Sequence, residues 1–327
     1  MSDQQLFIIG TGRSGTTVLR EIVGRHSQIY VYPHELRFLT DTRGLVDLAD
    51  TLTRNWNPFN ASKAIEDFEE LLRQYMWKEP LHHMALSVFY QFLLHGAGRK
   101  YRFIDLRKAV PLSHFEKVLS ELIDRITLDQ AEGYWLGTRS YKARPTMYVT
   151  RRFDEDELYP ILGAFLDELL SYPLQGTPQT VWCDDTPINI LNADRIAQML
   201  ESARLVHLYR DPRDVVASYA DSGQTWAPDD PHLSAVWVRE IIAHWLQVRE
   251  RIPDEQYIEI CYEELVREQE AYLREIARFV GLDYDASMMD IQLTDQSVGR
   301  YKNDFSPAQL SAVEEQVAPI LETYYGE

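Results

Sequence analysis

LFIIGTGRSGTTVLREIVGRH, residues 6–26, reads as a strand, a tight loop and a helix in immediate succession. Leu6 to Ile9 form a short continuous apolar run. GTGRSG cannot continue it, and Val18, Leu19, Ile22 and Val23 then recur at helical spacing. Gly10 and Gly15 are separated by four residues, the G-x-x-x-x-G spacing of a phosphate loop between strand and helix. In such a loop glycines allow turns closed to other residues, successive N–H groups point inward, and the helix N-terminus adds partial positive charge. The expected product is an anion nest. A nucleoside-triphosphate loop carries a Lys where this chain has Thr16, and that Lys reaches the β and γ phosphates. Here the cation is Arg13, inside the loop, and no clear acidic strand end pairs with a Mg²⁺ ligand. A donor with one bridging leaving phosphate fits this loop better than a triphosphate.

After the helix, IYVYP (29–33) reads as a second strand, so that the helix lies in a parallel βαβ unit. Residues 41–177 change character to helix-like segments rich in Trp, Tyr, Phe and His, among them Trp56, Phe59, Trp77, His82, His83, Phe89, Tyr90, Phe92 and Trp135. They are expected to form a mainly helical inserted cap. Strand and helix then alternate: TVWCD, NADRIAQML, RLVHLY, PRDVVASYA, a longer helix from Leu233 to Arg251, YIEIC, and one helix EELVREQEAYLREIARFV stopped at Gly281. This alternation predicts an α/β fold, a P-loop-type central parallel sheet flanked by helices, built from residues 1–40 and 178–327.

The 327 residues suffice for one such compact domain. Lys and Arg number 33 against 51 Asp and Glu, a net charge of −18 that disfavours nucleic acid and anionic membrane surfaces as partners. An anionic ligand must therefore be captured locally. The two cysteines, Cys183 and Cys261, each lie in a strand-like run and read as buried free thiols of a reducing compartment. MSDQQLFIIG has no basic segment before its short apolar run, and no later stretch is long enough to insert in a membrane, so a cytoplasmic location is expected.

A second anion site is written in LVHLYRDPRDVVASYA. Arg210 ends a strand, Asp211 stands at an N-cap, Pro212 at the first helical position, and Ser218 follows about two turns into the helix. A forked guanidinium and a hydroxyl so placed suit a terminal phosphate monoester.

FIIGTGRSGTT and YRDPRDVVASY, in this order, resemble the two donor-binding motifs of the sulfotransferases that use 3′-phosphoadenosine 5′-phosphosulfate (PAPS), and are closest to those of bacterial members. The resemblance implies that Arg13, Ser14, Gly15, Thr16 and Thr17 surround the 5′-phosphosulfate and that Arg210 and Ser218 hold the 3′-phosphate. CYEEL (261–265) resembles the family's aromatic-acid-acid segment and makes Tyr262 a candidate contact for adenine. SVGRYKNDFS is similar to the late basic loop, with Arg300 and Lys302 as its cations, although Thr294, Asp295 and Gln296 stand where cytosolic members have a basic triplet. The product would be 3′,5′-adenosine bisphosphate, and no metal is expected.

Sulfuryl transfer needs in-line positioning, charge stabilisation on the leaving phosphate and a base for the acceptor proton. Arg13 is the natural stabiliser. In YPHELRF, Glu35 resembles the base of tyrosylprotein sulfotransferases, His34 is its neighbour and rival, and His82, His83 and His114 stand in for the cap histidine of cytosolic members. In CDDTP, Asp185 occupies a position where many Glu-base members carry Lys. It either orients the acceptor, acts as a base with Asp184, or caps the helix that follows. A hydroxyl or amine on a small molecule, sugar or lipid is the expected acceptor. A P-loop kinase or nucleoside triphosphatase, and a catalytically silent nucleotide- or sugar-binding protein, are the alternatives.

Overall fold

A computed structural model describes residues 4–76, 106–133, 146–221 and 227–326. At its centre five parallel strands lie in the order β2-β5-β1-β6-β7. They are β1 (Gln4–Ile9), β2 (Ile29–Val31), β5 (Val181–Asp184), β6 (Ala203–Tyr209) and β7 (Tyr257–Cys261). A separate antiparallel pair joins β3 (Asp129–Glu132) to β4 (Thr146–Val149). The strand-loop-helix unit forms as its pattern predicts, with α1 over Thr16–Val23. Its two strands are parallel but not adjacent, because β5 pairs with β1 on one side and β2 on the other. β1 therefore has β5 and β6 as neighbours, and the loop after Ile9 opens where the connections diverge to opposite sides, the usual ligand-binding position of an open parallel sheet.

Side-chain alternation along β1 divides the core. Leu6 and Ile8 join Leu19, Ile22 and Val23 of α1, together with Cys183 and Val206, on one face. Phe7 and Ile9 point the other way, into a larger cluster with Trp182 and Tyr32. That second face is covered by α2 (Leu45–Thr53), α3 (Pro58–Met76), α4 (Leu112–Ile126) and α5 (Glu155–Leu170), whose apolar faces are continuous with the sheet. Tyr32 Oη donates to the Leu170 carbonyl at 2.7 Å, and Gln5 Nε2 to Asp167 Oδ1 at 3.0 Å, which fixes α5 to the strands. Of the aromatics expected in the cap, Trp56 packs partly buried on this cluster and Phe59 is exposed, while Trp77, His82, His83, Phe89, Tyr90, Phe92 and Trp135 lie outside the described residues.

Beyond β5 come α6 (Ala193–Met199), α7 (Pro212–Ala220) and α8 (Pro231–Val248). The helix expected over 263–280 is two helices, α9 (Tyr262–Arg267) and α10 (Gln269–Phe279). Glu268 breaks the run with φ −126° and ψ 46°. The break turns Gln269 inward, where its amide donates to the Ile291 carbonyl at 2.6 Å and accepts from Leu293 N–H at 2.9 Å. Short α11 (Tyr301–Asp304) and long α12 (Pro307–Tyr325) complete the chain, the latter opening on a Ser306/Gln309 capping box. Cys183 and Cys261 are both buried free thiols. No helix among the described residues is long and apolar enough to cross a membrane.

Candidate active site

The loop between β1 and α1 is shaped by three departures to the left-handed region: Gly12 at φ 75°, Arg13 at 57° and Gly15 at 103°. Arg13 is one of two non-glycine residues there among the described residues, a costly conformation that persists only where the surroundings impose it. They do so by contact. Gly10 N–H donates to the Pro187 carbonyl at 3.1 Å, Tyr219 Oη donates to the Thr11 carbonyl at 2.6 Å, and the Tyr262 ring lies against Gly15, 2.8 Å from where a Cβ would stand. The helix that follows has no side-chain cap, so its first N–H groups are left to a ligand or to water.

Around this loop the fold gathers the second motif. Asp211 caps α7 by accepting from Arg213 N–H at 2.9 Å, and Pro212 occupies the first helical position, which sets Ser218 on the side facing the loop. Arg13 Nε donates to Ser218 Oγ at 3.1 Å. Arg210 Nη1 lies 3.5 Å from the Arg13 carbonyl, and its guanidinium stands 5.0 Å from the Tyr262 ring centre. Arg13, Ser14, Gly15, Arg210, Ser218 and Tyr262 are thus brought together from three segments. Thr16 is buried and Thr17 exposed at the head of α1. Two polar groups here have no partner: the Ser14 hydroxyl, on a residue with no exposed surface, and Arg210 Nε, on a residue only 8% exposed. Buried polar atoms are nearly always bonded in native proteins, so both fit a cradle for an anionic ligand.

Arg300 and Lys302 do not join this group through their side chains. Arg300 is engaged by Asp304 at 2.6 Å and Asp221 at 3.0 Å, and Lys302 is exposed beside the Tyr301 ring. Their segment reaches the site by its backbone. The Ser297 carbonyl accepts from Arg210 Nη2, and Gly299 N–H donates to Asp214 at 2.7 Å.

At the carboxyl ends of β2 and β5, the strands beyond β1 in the sheet, stands a second set of groups. Asp184 is fully buried and accepts from Leu36 N–H at 2.9 Å, from the Thr186 hydroxyl at 2.9 Å and from Asn189 Nδ2 at 2.8 Å. Burial pushes its carboxyl up to about 7, the Leu36 and Thr186 bonds oppose that rise, and the charges of Asp185 and Glu35 add to it. Glu35 is half-buried, with Arg37 Nη1 3.7 Å from its Oε2. The bond from Leu36 to Asp184 fixes the turn on which Glu35 and His34 stand. Asp185, also buried, has Arg20 Nη1 3.5 Å from Oδ1, and the same nitrogen donates to the Pro33 carbonyl at 3.4 Å. Arg20 is the cation at this end of the sheet that the sequence pattern did not single out. It lies one turn beyond Thr16, where helical spacing offered no reason to separate it from an ordinary surface residue. His114 is held elsewhere, its Nε2 2.9 Å from the Glu168 carbonyl and its ring 4.6 Å from that of Tyr172.

A cleft of about 810 Å³ between α2 and α3 is lined by Arg43, Asp50, Trp56 and Lys63 and shares no residue with the loop. At the loop, glycine geometry, a helix start and orphaned buried donors coincide beside two guanidinium groups, those of Arg13 and Arg210.

A profile described as the sulfotransferase family matches residues 5–286. Comparison with curated protein sequences finds no match. Among solved structures, the sulfotransferase domain from the curacin biosynthetic pathway superposes with a TM-score of 0.52 at 12% identity, over 96% of each chain, and so shares the fold. The sulfotransferase domain from the Synechococcus PCC 7002 olefin synthase gives 0.48 at 16% identity, over 96% of this chain and 94% of that one. A sulfotransferase from Mycobacterium avium gives 0.46 at 15% identity, over 99% and 78%. The profile match runs from β1 through the loop and all five strands of the central sheet, and the chain therefore belongs to the sulfotransferase family.

Proposed function

We propose that this sulfotransferase grips PAPS at both ends, with Arg13, Ser14, Gly15, Thr16 and Thr17 around the 5′-phosphosulfate and with Arg210 and Ser218 on the 3′-phosphate. The observation that carries the reading is the convergence of Arg13, Arg210 and Ser218 around one mouth, with the Ser14 hydroxyl and Arg210 Nε buried and unbonded. Tyr262, packed between Gly15 and Arg210, is the candidate wall for the adenine.

Transfer breaks the bond between sulfur and the phosphate oxygen and forms one between sulfur and the acceptor oxygen or nitrogen. The acceptor proton passes to a base, and 3′,5′-adenosine bisphosphate leaves. Arg13 and the loop N–H groups stabilise charge on the departing phosphate. Glu35 is the base we assign, since its turn is pinned by Asp184 at the end of β5, the strand next to β1. His34 is adjacent, and Asp185, held against Arg20, supports the same turn rather than the proton transfer. The acceptor class we infer is a small molecule, sugar or lipid, bound under the helices of residues 41–177, which we treat as an acceptor-binding insertion in a core of 1–40 and 178–327. The reaction is set in the cytoplasm.

Calorimetry tests the donor site. Binding of 3′,5′-adenosine bisphosphate without metal, lost by at least roughly tenfold in Arg210→Ala, is expected. A clear preference for Mg-ATP overturns the reading. With labelled donor and a panel of hydroxylated and amino metabolites, Glu35→Gln is expected to slow transfer by about 10²-fold or more while leaving bisphosphate binding intact. Full activity in that variant removes Glu35 as the base.

A further inference from the structure

Asp214, on α7 between Arg210 and Ser218, has no exposed surface. Both of its oxygens are engaged. Oδ1 accepts from Tyr301 N–H at 3.1 Å, and Oδ2 accepts from Gly299 N–H at 2.7 Å with Arg210 Nη2 only 3.5 Å away. Gly299 stands at φ 73°, a left-handed conformation suited to glycine, within the turn that carries both N–H groups to one carboxylate. Around it the same segment is fastened to the donor motif by other bonds. The Ser297 carbonyl accepts from Arg210 Nη2, the Ser297 and Tyr262 hydroxyls are 3.3 Å apart, and the Arg213 guanidinium lies 4.5 Å from the Tyr301 ring centre.

A buried carboxylate beside an anion site is costly unless its charge is answered, and two N–H groups and a guanidinium answer it here. The same carboxylate orients that guanidinium. Resting on the assignment of Arg210 to the 3′ end of the donor, we propose that Asp214 is a positioning residue for recognition of the terminal 3′-phosphate. It aims Arg210 and clamps residues 297–301 against it, so that filling the phosphate site and ordering this segment are one event. Arg210 then exchanges the Ser297 carbonyl for a phosphate oxygen while Asp214 keeps its two backbone partners. The segment acts through its main chain, consistent with Arg300 being spent on Asp221 and Asp304.

An Asn at 214 has a single carbonyl to offer two N–H groups and loses the charge that aligns Arg210. The test titrates 3′,5′-adenosine bisphosphate and 5′-AMP separately into the wild type, Asp214→Asn and Arg210→Ala. We expect Asp214→Asn to weaken the bisphosphate by about tenfold and 5′-AMP by less than about threefold. Equal weakening of both ligands makes Asp214 a general structural residue and overturns the proposal. If Arg210→Ala abolishes the preference for the bisphosphate while Asp214→Asn keeps it, Asp214 alone is excluded. If Arg210→Ala keeps the preference, the assignment of Arg210 falls and this proposal with it. Because Asp214→Asn alters a fully buried site and can fail to fold, hydrogen exchange of the wild-type protein supplies the second measurement. The Gly299 and Tyr301 amides should gain protection with the bisphosphate and not with 5′-AMP, and equal protection by the two ligands, or none, overturns the coupling.

Discussion

A Cβ at Gly12 would stand 2.7 Å from the Tyr219 hydroxyl, and the backbone there has φ 75°. Gly12→Ala therefore meets two separable penalties, a collision and a left-handed conformation worth about 1–2 kcal/mol. Tyr219→Phe removes the colliding atom but also the 2.6 Å bond to the Thr11 carbonyl, at a cost of about 1 kcal/mol. We predict that each single variant weakens bisphosphate binding and that the double variant is less impaired than the sum of the two, read from a double-mutant cycle by calorimetry. Strict additivity means that the hydroxyl is not what closes position 12. The glycine spacing was legible because conformational demand is local and glycine is its signature. Tyr219 was not, since nothing near position 219 in the chain says that its hydroxyl ends at residue 11. Arg210 and Ser218 were legible as a pair because a strand end and a helix start fix their relation. Asp214 lies between them and carries no such local signal, because its partners Gly299 and Tyr301 are more than eighty residues away.

α12 is tied to the edge of the sheet by a partly buried polar knot. Glu259 on β7 receives Tyr324 Oη at 2.7 Å, Trp245 Nε1 at 2.9 Å, His207 Nδ1–H at 2.9 Å and Arg249 Nη1 at 2.6 Å. Burial alone would raise the Glu259 carboxyl, but the bonds from His207, Trp245 and Tyr324 outweigh it and hold it down to about 2. His207, fully buried on β6, is pushed below its ordinary range by burial and is neutral at pH 7. Both groups favour the folded state at high pH. The unfolded chain takes up the histidine proton below about 6.5 and the carboxyl proton below about 4.5, neither of which the fold accepts readily. Stability should therefore fall in two stages, below pH 6.5 and again below 4.5, the second amounting to about 1 kcal/mol by pH 4 and continuing at lower pH. Urea midpoints at pH 7, 5.5 and 4 check this, with Tyr324→Phe expected to reduce the lower stage. An identical pH dependence in that variant removes the knot as its source. Strand and helix identities at this end followed from periodicity, whereas the break at Glu268 did not. Residues 262–280 keep a helical apolar pattern throughout, and the helix divides because Gln269 finds backbone partners at 291 and 293.

Over the whole molecule, the proposed donor site is assembled from residues 10–17 at the start of the chain, 210–218 in its middle, Tyr262, and 297–301 near its end. The parallel sheet makes this possible by bringing the carboxyl ends of β1, β6 and β7 side by side. With a net charge of −18 the molecule offers an anion no general attraction, so affinity must come from these converging groups in the folded state. An unfolded chain has nothing equivalent. A ligand that binds only the folded form stabilises it by about 2.7 kcal/mol at a hundred times its dissociation constant, roughly a 4 °C rise in melting temperature for a chain of this size. We predict that rise for 3′,5′-adenosine bisphosphate in the wild type, a smaller one for 5′-AMP at the same concentration, and a similarly reduced one for the bisphosphate in Arg210→Ala. Because α1, α7, β7 and the 297–301 segment all border the site, the transition should also sharpen, with the Tyr262 region and the 297–301 segment losing structure together rather than in sequence. A bisphosphate that raises the melting temperature of Arg210→Ala as much as that of the wild type would mean that the loop alone carries the binding, and that the molecule does not grip its donor from two ends.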